Sequence, residues 1–236
     1  MALALFFAPG APKRSRARRP PGARRLSAPG AASAPHVGGW AFAVGRAQPL
    51  LVGDAVQRTS RIESITHKAG RTGDLVFVLV KHEISNAKGL ALTEEHDIVY
   101  RAAPQPGDPV PAPIAAETGA PWCRSITPDD VLLFRYSALT FNGHRIHYDR
   151  RYVTEVEGYP GLIVHGPLIA TLLIDLLRRQ CPSARVKSFH FKAVRPTFDL
   201  HPFGLNGAPS ADGKSVRLWS NDHEGWLTLQ GTAELF

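Results

Sequence analysis

Through about residue 46 the chain shows neither the two-residue alternation of a strand nor the 3.6-residue spacing of a helix. Ala, Pro, Gly and Arg dominate there, and little of the segment could bury a core. Residues 1–50 are therefore expected to lie outside the folded unit. From Val52 the texture changes: runs 54–67, 74–84 and 90–102 are β-rich, separated by Gly70, Gly73 and the 86–89 turn. They predict a three-stranded antiparallel meander over 51–103. In the second run Leu75, Phe77 and Leu79 alternate with Val76, Val78 and Val80, so both faces are apolar and call for cover. No helix long enough to supply it lies upstream; the cover comes from later residues, from a partner subunit, or from nothing. Residues 104–121 contain six prolines and read as a linker and domain boundary.

Beyond the linker the period changes. Thr127 followed by Pro128, Asp129 and Asp130 predicts a capped helix over 128–139. A polar, histidine-rich stretch with an Asn-Gly turn interrupts the pattern at 140–149, and a short helical run at 151–156 follows. Pro167 then suits the first turn of a helix carrying Leu168, Ile169, Leu172, Leu173, Leu176 and Leu177, apolar nearly all round and so deeply buried. Strand-like runs at 185–198, 215–220 and 225–235 complete the pattern, with turns expected at 204–213 and around Asp222. A long buried helix followed by antiparallel strands able to wrap it predicts an α+β architecture for 122–236.

Charge changes this picture only at one end. The net charge of +8 suggests nucleic acid until it is located: residues 1–53 hold eight Lys and Arg and no acid, and the remainder balances twenty basic residues against twenty acidic ones. No nucleic-acid surface is implied for the folded part. The Arg-rich, acid-free leader admits three readings: a misassigned or out-of-frame start, a disordered tail, or an organellar transit peptide. Cys123 and Cys181 form neither a C-x-x-C pair nor a zinc pattern and fit a reducing compartment. The longest apolar stretch, 168–177, is interrupted by Asp175 and is short of the roughly 20 residues that span a bilayer, so no membrane segment is expected. The cytoplasm is the expected location, or the mitochondrial matrix if the leader is a transit peptide.

The chemistry gathers in two segments, Phe-Asn-Gly-His-Arg-Ile-His-Tyr-Asp at 141–149 and Gly-Leu-Ile-Val-His-Gly-Pro-Leu at 161–168. Together they resemble the MaoC-like dehydratases and R-specific enoyl-CoA hydratases, whose loop reads Gly-Asp-x-Asn-Pro-x-His before a helix introduced by His-Gly. The closest look is to the subgroup holding the mitochondrial and fungal hydroxyacyl-thioester dehydratases and mesaconyl-C(4)-CoA hydratase. The resemblance, covering about 52–236, implies a double HotDog fold whose first HotDog is incomplete here. It also implies reversible hydration or dehydration of an enoyl or 3-hydroxyacyl thioester, carried by CoA or acyl-carrier protein, in a homodimer without metal or cofactor. His147 falls on the family's catalytic histidine. Asn142 falls on its aspartate, a departure that removes the carboxylate from this position. His144 and Arg145 replace the family's Asn and Pro.

The roles that follow are a general base and acid for His147, and water positioning for Asn142. The Gly166 backbone N–H at a helix start faces the oxyanion. His144, Arg145 and His165 are candidate substrate contacts. Arg150, Arg151, Arg178 and Arg179 could meet CoA phosphates or simply face water. Three histidines with Asp149 also invite a metal reading, which the metal-free family disfavours. A binding module that has lost catalysis remains open, because of Asn142 and the short first half, and a thioesterase is a weaker third reading.

Overall fold

The computed structural model describes residues 36–44, 49–70, 73–101 and 112–236. The expectations for residues 1–35 lie outside the described residues. The first half holds four strands, β1 (His36–Val44), β2 (Gln57–Gly70), β3 (Gly73–Asn86) and β4 (Gly89–Arg101). The second half runs β5 (Trp122–Ile126), α1 (Asp130–Thr140), a 3-10 turn (Arg145–His147), α2 (Arg150–Glu155), α3 (Gly166–Gln180), β6 (Val186–Ala193), β7 (Phe203–Pro209), β8 (Ser215–Asn221) and β9 (Leu227–Leu235). All nine strands form one sheet in the order β2-β3-β4-β1-β6-β9-β8-β7-β5, with every neighbouring pair antiparallel.

The expected meander is β2, β3 and β4. A correction concerns β1, which falls inside the segment expected to lack structure. Its Gly- and Ala-rich sequence carries no strong alternation; its place is set by pairing on both sides, with β4 and with β6. The Ala41 to Ala43 stretch lies opposite Ser188, Phe189 and His190, and the Phe42 ring meets Phe189 edge-on at 5.8 Å. Residues 112–121 are a second correction. They are docked, not slack: Ile114 O accepts from Leu227 N, Ala116 N donates to Gly225 O, and Glu117 O accepts from the Trp219 indole. The third is 204–213, read as a turn. Residues 204–209 belong to β7 and only 210–213 turn; Gly204 and Gly207 are packing requirements, since a Cβ on Gly204 would strike the Asn221 side chain and one on Gly207 would lie 2.8 Å from the Trp122 ring. β5, too short to show a period, was not foreseen, and β6 ends at Ala193, short of Phe198.

α3 packs across β5, β7, β8 and β9. Leu168, Ile169, Ala170, Leu173, Leu176 and Leu177 are buried against Phe189, Phe191, Phe203, Leu205 and Leu218, making the core of the second half. Burying each large apolar side chain stabilises the fold by roughly 1.5–3 kcal/mol before entropy is subtracted. Asp175 tolerates this helix because it sits at its edge, ion-paired to Arg124, Arg178 and Arg179; burial pushes its pKa up, but the three guanidiniums hold it at about 2. Among the described residues no helix belongs to the first half, and residues 75–80 of β3 are half-buried on both faces.

α1 begins two residues later than expected. Its cap is Asp129, whose Oδ1 accepts from Leu132 N at 2.6 Å, rather than Thr127, and Pro128 precedes the helix.

Candidate active site

Four segments converge at the start of α3. α1 turns Leu133 and Ser137, one turn apart, inward. It ends at Phe141, which at φ 53° adopts the left-handed conformation, and Asn142 N closes back onto Ser137 O at 2.9 Å. That reversal delivers the histidine loop beside the helix it has just left. The Asn142 side chain then organises the loop, Oδ1 accepting from His144 N at 3.0 Å. The 3-10 turn at Arg145–His147 buries Ile146 and His147, and Asp149 caps α2 through Tyr152 N at 3.0 Å. Finally, the strand-like stretch before α3 is pinned: Ile163 N donates to Ile146 O, and Val164 N to Thr197 O. Asp199 Oδ1 accepts from Leu162 N, and its carboxylate pairs with Arg150.

The centre is a stack of imidazoles. His147, 8% exposed, lies 2.7 Å through Nδ1 from the carbonyl oxygen of Ile163. A carbonyl only accepts, so Nδ1 carries the proton and the neutral ring keeps its lone pair at Nε2. Its face stacks on His165 at 3.8 Å and 18°. His165, without solvent exposure, is bonded through Nε2 to Ser137 Oγ at 2.8 Å and meets Tyr136 edge-on at 4.9 Å. His144 stands edge-on to His147 at 5.6 Å. Burial pushes the His147 pKa down to about 4, opposed by the Ile163 carbonyl and reinforced by His144. Burial likewise takes His165 to about 2, with His147 and His144 adding to the effect, and lowers His144. At neutral pH the site is a cluster of uncharged imidazoles, one of which is a base with its lone pair unspent.

Gly166 opens α3, with His165 as its N-cap making no side-chain cap bond and Pro167 following. A Cβ added at Gly166 would meet nothing within 4 Å, so the helix start borders open space. Backbone N–H groups at such a start face outward with the positive end of the helix dipole.

Thus His147, His144, His165 and Gly166 are brought together. Two of the expected substrate contacts change. His165 is wholly buried behind His147, which makes it a support rather than a substrate contact. Arg145 is spent on Asp149 at 2.7 and 3.0 Å and lies over the Tyr152 ring. Asp149, with one oxygen on Tyr152 N and the other on Arg145, is not available to complete a metal set with the histidines. Arg150, Arg151, Arg178 and Arg179 are ion-paired to Asp199, Glu155 and Asp175. Ser137 was missed; its only signal was a lone hydroxyl four residues after Leu133 on the inward side of a helix.

The family model for "Hydroxyacyl-thioester dehydratase type 2" matches residues 12–199. The chain belongs to that family. Among curated relatives of this dehydratase family, the mesaconyl-C(4)-CoA hydratase of Chloroflexus aurantiacus is 46% identical over 190 residues, covering 79% of this chain and 66% of the relative. The chain therefore matches just under two thirds of that relative's length. Among solved structures, a MaoC-like dehydratase from Phytophthora capsici superposes with a TM-score of 0.67 at 15% identity, over 86% of this chain and 72% of the other. A Mycobacterium tuberculosis protein described as a double hotdog superposes at 0.54 with 15% identity, over 85% and 75%. The fold is HotDog, an antiparallel sheet around a central helix, as the two motifs had implied.

Proposed function

We propose that the chain catalyses reversible hydration and dehydration of an acyl thioester, with a mesaconyl-C(4)-CoA-like substrate as the first reading. The observation that carries it is the His147 arrangement: an imidazole held neutral, its Nδ1 fixed by the Ile163 carbonyl, beside the open start of α3. In hydration, water adds to the β-carbon of a double bond conjugated to the thioester. His147 Nε2 takes a proton from the water as its oxygen bonds to carbon, and negative charge moves onto the thioester oxygen. The Gly166 N–H faces that oxygen and stabilises the charge. The proton then returns from Nε2 to the α-carbon, so the imidazole ends as it began, and the reverse sequence is dehydration. Asn142 shapes the loop that presents these groups. The steps require no redox change, and every proton is accounted for by water, substrate and His147.

A second reading within the family is dehydration of 3-hydroxyacyl groups on carrier protein, favoured if the basic leader acts as a transit peptide to the mitochondrial matrix; the first reading goes with the cytoplasm. We place the protein as a homodimer, the half-buried faces of β3 offering apolar surface to a partner. Among the described residues no helix is long and apolar enough to cross a membrane.

The test is loss of conjugated-thioester absorbance on adding protein to mesaconyl-C(4)-CoA or, separately, crotonyl-CoA. His147→Ala is expected to lower kcat by about 100-fold or more, the range ascribed to a positioned general base. Full activity in that variant would overturn the assignment, and binding without turnover by the wild type would favour the non-catalytic module.

A further inference from the structure

We propose that His144 is the second catalytic residue of this site, holding the reacting water jointly with His147, in place of the carboxylate that the family motif carries at position 142. The inference rests on the hydratase reading above. The role first falls to Asn142 by sequence, but the structure engages its acceptor within the loop: Oδ1 receives His144 N–H at 3.0 Å. That bond fixes the backbone of His144 and leaves its imidazole as the loop's other reactive group. The ring stands edge-on to the His147 ring, at 85° with centroids 5.6 Å apart, so the two imidazoles are direct neighbours. Its Nε2 is buried and meets no hydrogen-bond partner among the described residues. A buried ring nitrogen in that condition calls for a polar partner, and its ring packs against that of the proposed base. Tyr148, the alternative polar group of the loop, is committed through its hydroxyl to Gly143 O at 2.9 Å.

The division of labour follows. The water has two O–H bonds. One points to His147 Nε2 and breaks, its proton passing to that nitrogen as the oxygen lone pair forms the bond to the β-carbon. The other is accepted by neutral His144 Nε2 and stays intact, which aims the lone pair at carbon. In dehydration the same nitrogen receives the hydroxyl hydrogen of the departing group. No proton is transferred to His144, so the balance of the reaction is unchanged. Burial lowers the His144 pKa and so favours the neutral ring, whose Nε2 accepts when the proton sits on Nδ1.

The experiment compares wild type, His144→Ala, His144→Gln and Asn142→Ala for hydration of mesaconyl-C(4)-CoA and crotonyl-CoA, with circular dichroism and thermal midpoints alongside. His144→Ala should lose about 100-fold in kcat with KM within threefold, while His144→Gln, whose amide oxygen can accept the same hydrogen, should recover at least tenfold of the loss. His144→Ala with kcat within threefold of wild type would overturn the proposal. So would equal losses in His144→Ala and His144→Gln at unchanged fold, which would make the ring a loop element only. Inactivity of folded wild type toward both thioesters would instead remove the hydratase reading, and this inference with it.

Discussion

At Gly166 a role in the fold can be told apart from the proposed role in the reaction. Its added methyl would touch no protein atom, and its φ needs no glycine. Gly166→Ala should therefore leave the thermal midpoint within about 2 °C of wild type or slightly above it, because alanine is the better helix former. The same methyl stands where a thioester oxygen would approach the helix start, so kcat/KM should fall at least about tenfold, a barrier increase of about 1.4 kcal/mol. Steady-state kinetics beside a melting curve check this; a destabilised but fully active variant would remove Gly166 from the oxyanion role. At this scale the sequence showed His147 and Gly166 because they stand in motifs of fixed spacing. It did not show which ring nitrogen carries the proton, since that depends on the Ile163 carbonyl, sixteen residues away and delivered by a different segment.

At the scale of elements, strands follow neighbours more than their own propensities. Gly231 in β9 illustrates it. A Cβ there would lie 2.6 Å from the His190 carbonyl oxygen and 2.9 Å from both Phe189 Cε2 and Phe191 Cβ, with backbone among the obstacles. Propensity alone says Gly231→Ala should strengthen a strand. The packing says the reverse: an expected loss of about 1–3 kcal/mol, read as a lower urea midpoint at unchanged slope. The same logic explains which elements were legible. β2, β3, β4 and α3 announce themselves through long, strong periods and were placed within a few residues. β7, with Gly204, Gly207 and Pro209 in seven residues, reads as a turn because the contacts that require those glycines come from Trp122 and Asn221. β1 is poorer still in local signal, its position fixed only by β4 and β6. In the site, motif spacing marks Asn142 for water positioning and Arg145 for substrate contact, because it carries no information about which intramolecular partner claims a side chain.

Over the whole molecule, buried imidazoles set the pH response. His82 and His147 are held at about 4 and His165 at about 2, burial being the main cause; Arg58 adds to it for His82, and neighbouring histidines for the other two. Unfolded, each titrates near 6.5. The folded pKa values are depressed, so the stabilisation is complete above about pH 6.5. As pH falls the unfolded chain takes protons the folded one refuses, and stability drops by about 1.4 kcal/mol per pH unit for each ring, down to about pH 4 for two of them and lower for the third. A urea midpoint lower at pH 5 than at pH 7.5 is expected; equal midpoints would contradict the burial of these rings. The last consequence concerns β1, paired on one side with the first half of the chain and on the other with the second. It is a keystone. Without its nine residues, β4 and β6 would both become raw edges, and one continuous sheet would turn into two, each with a sticky new edge able to recruit a strand from a stranger. The integrity of the half that carries α3 and the histidine loop thus hangs on a stretch of chain whose own sequence gives little sign of it.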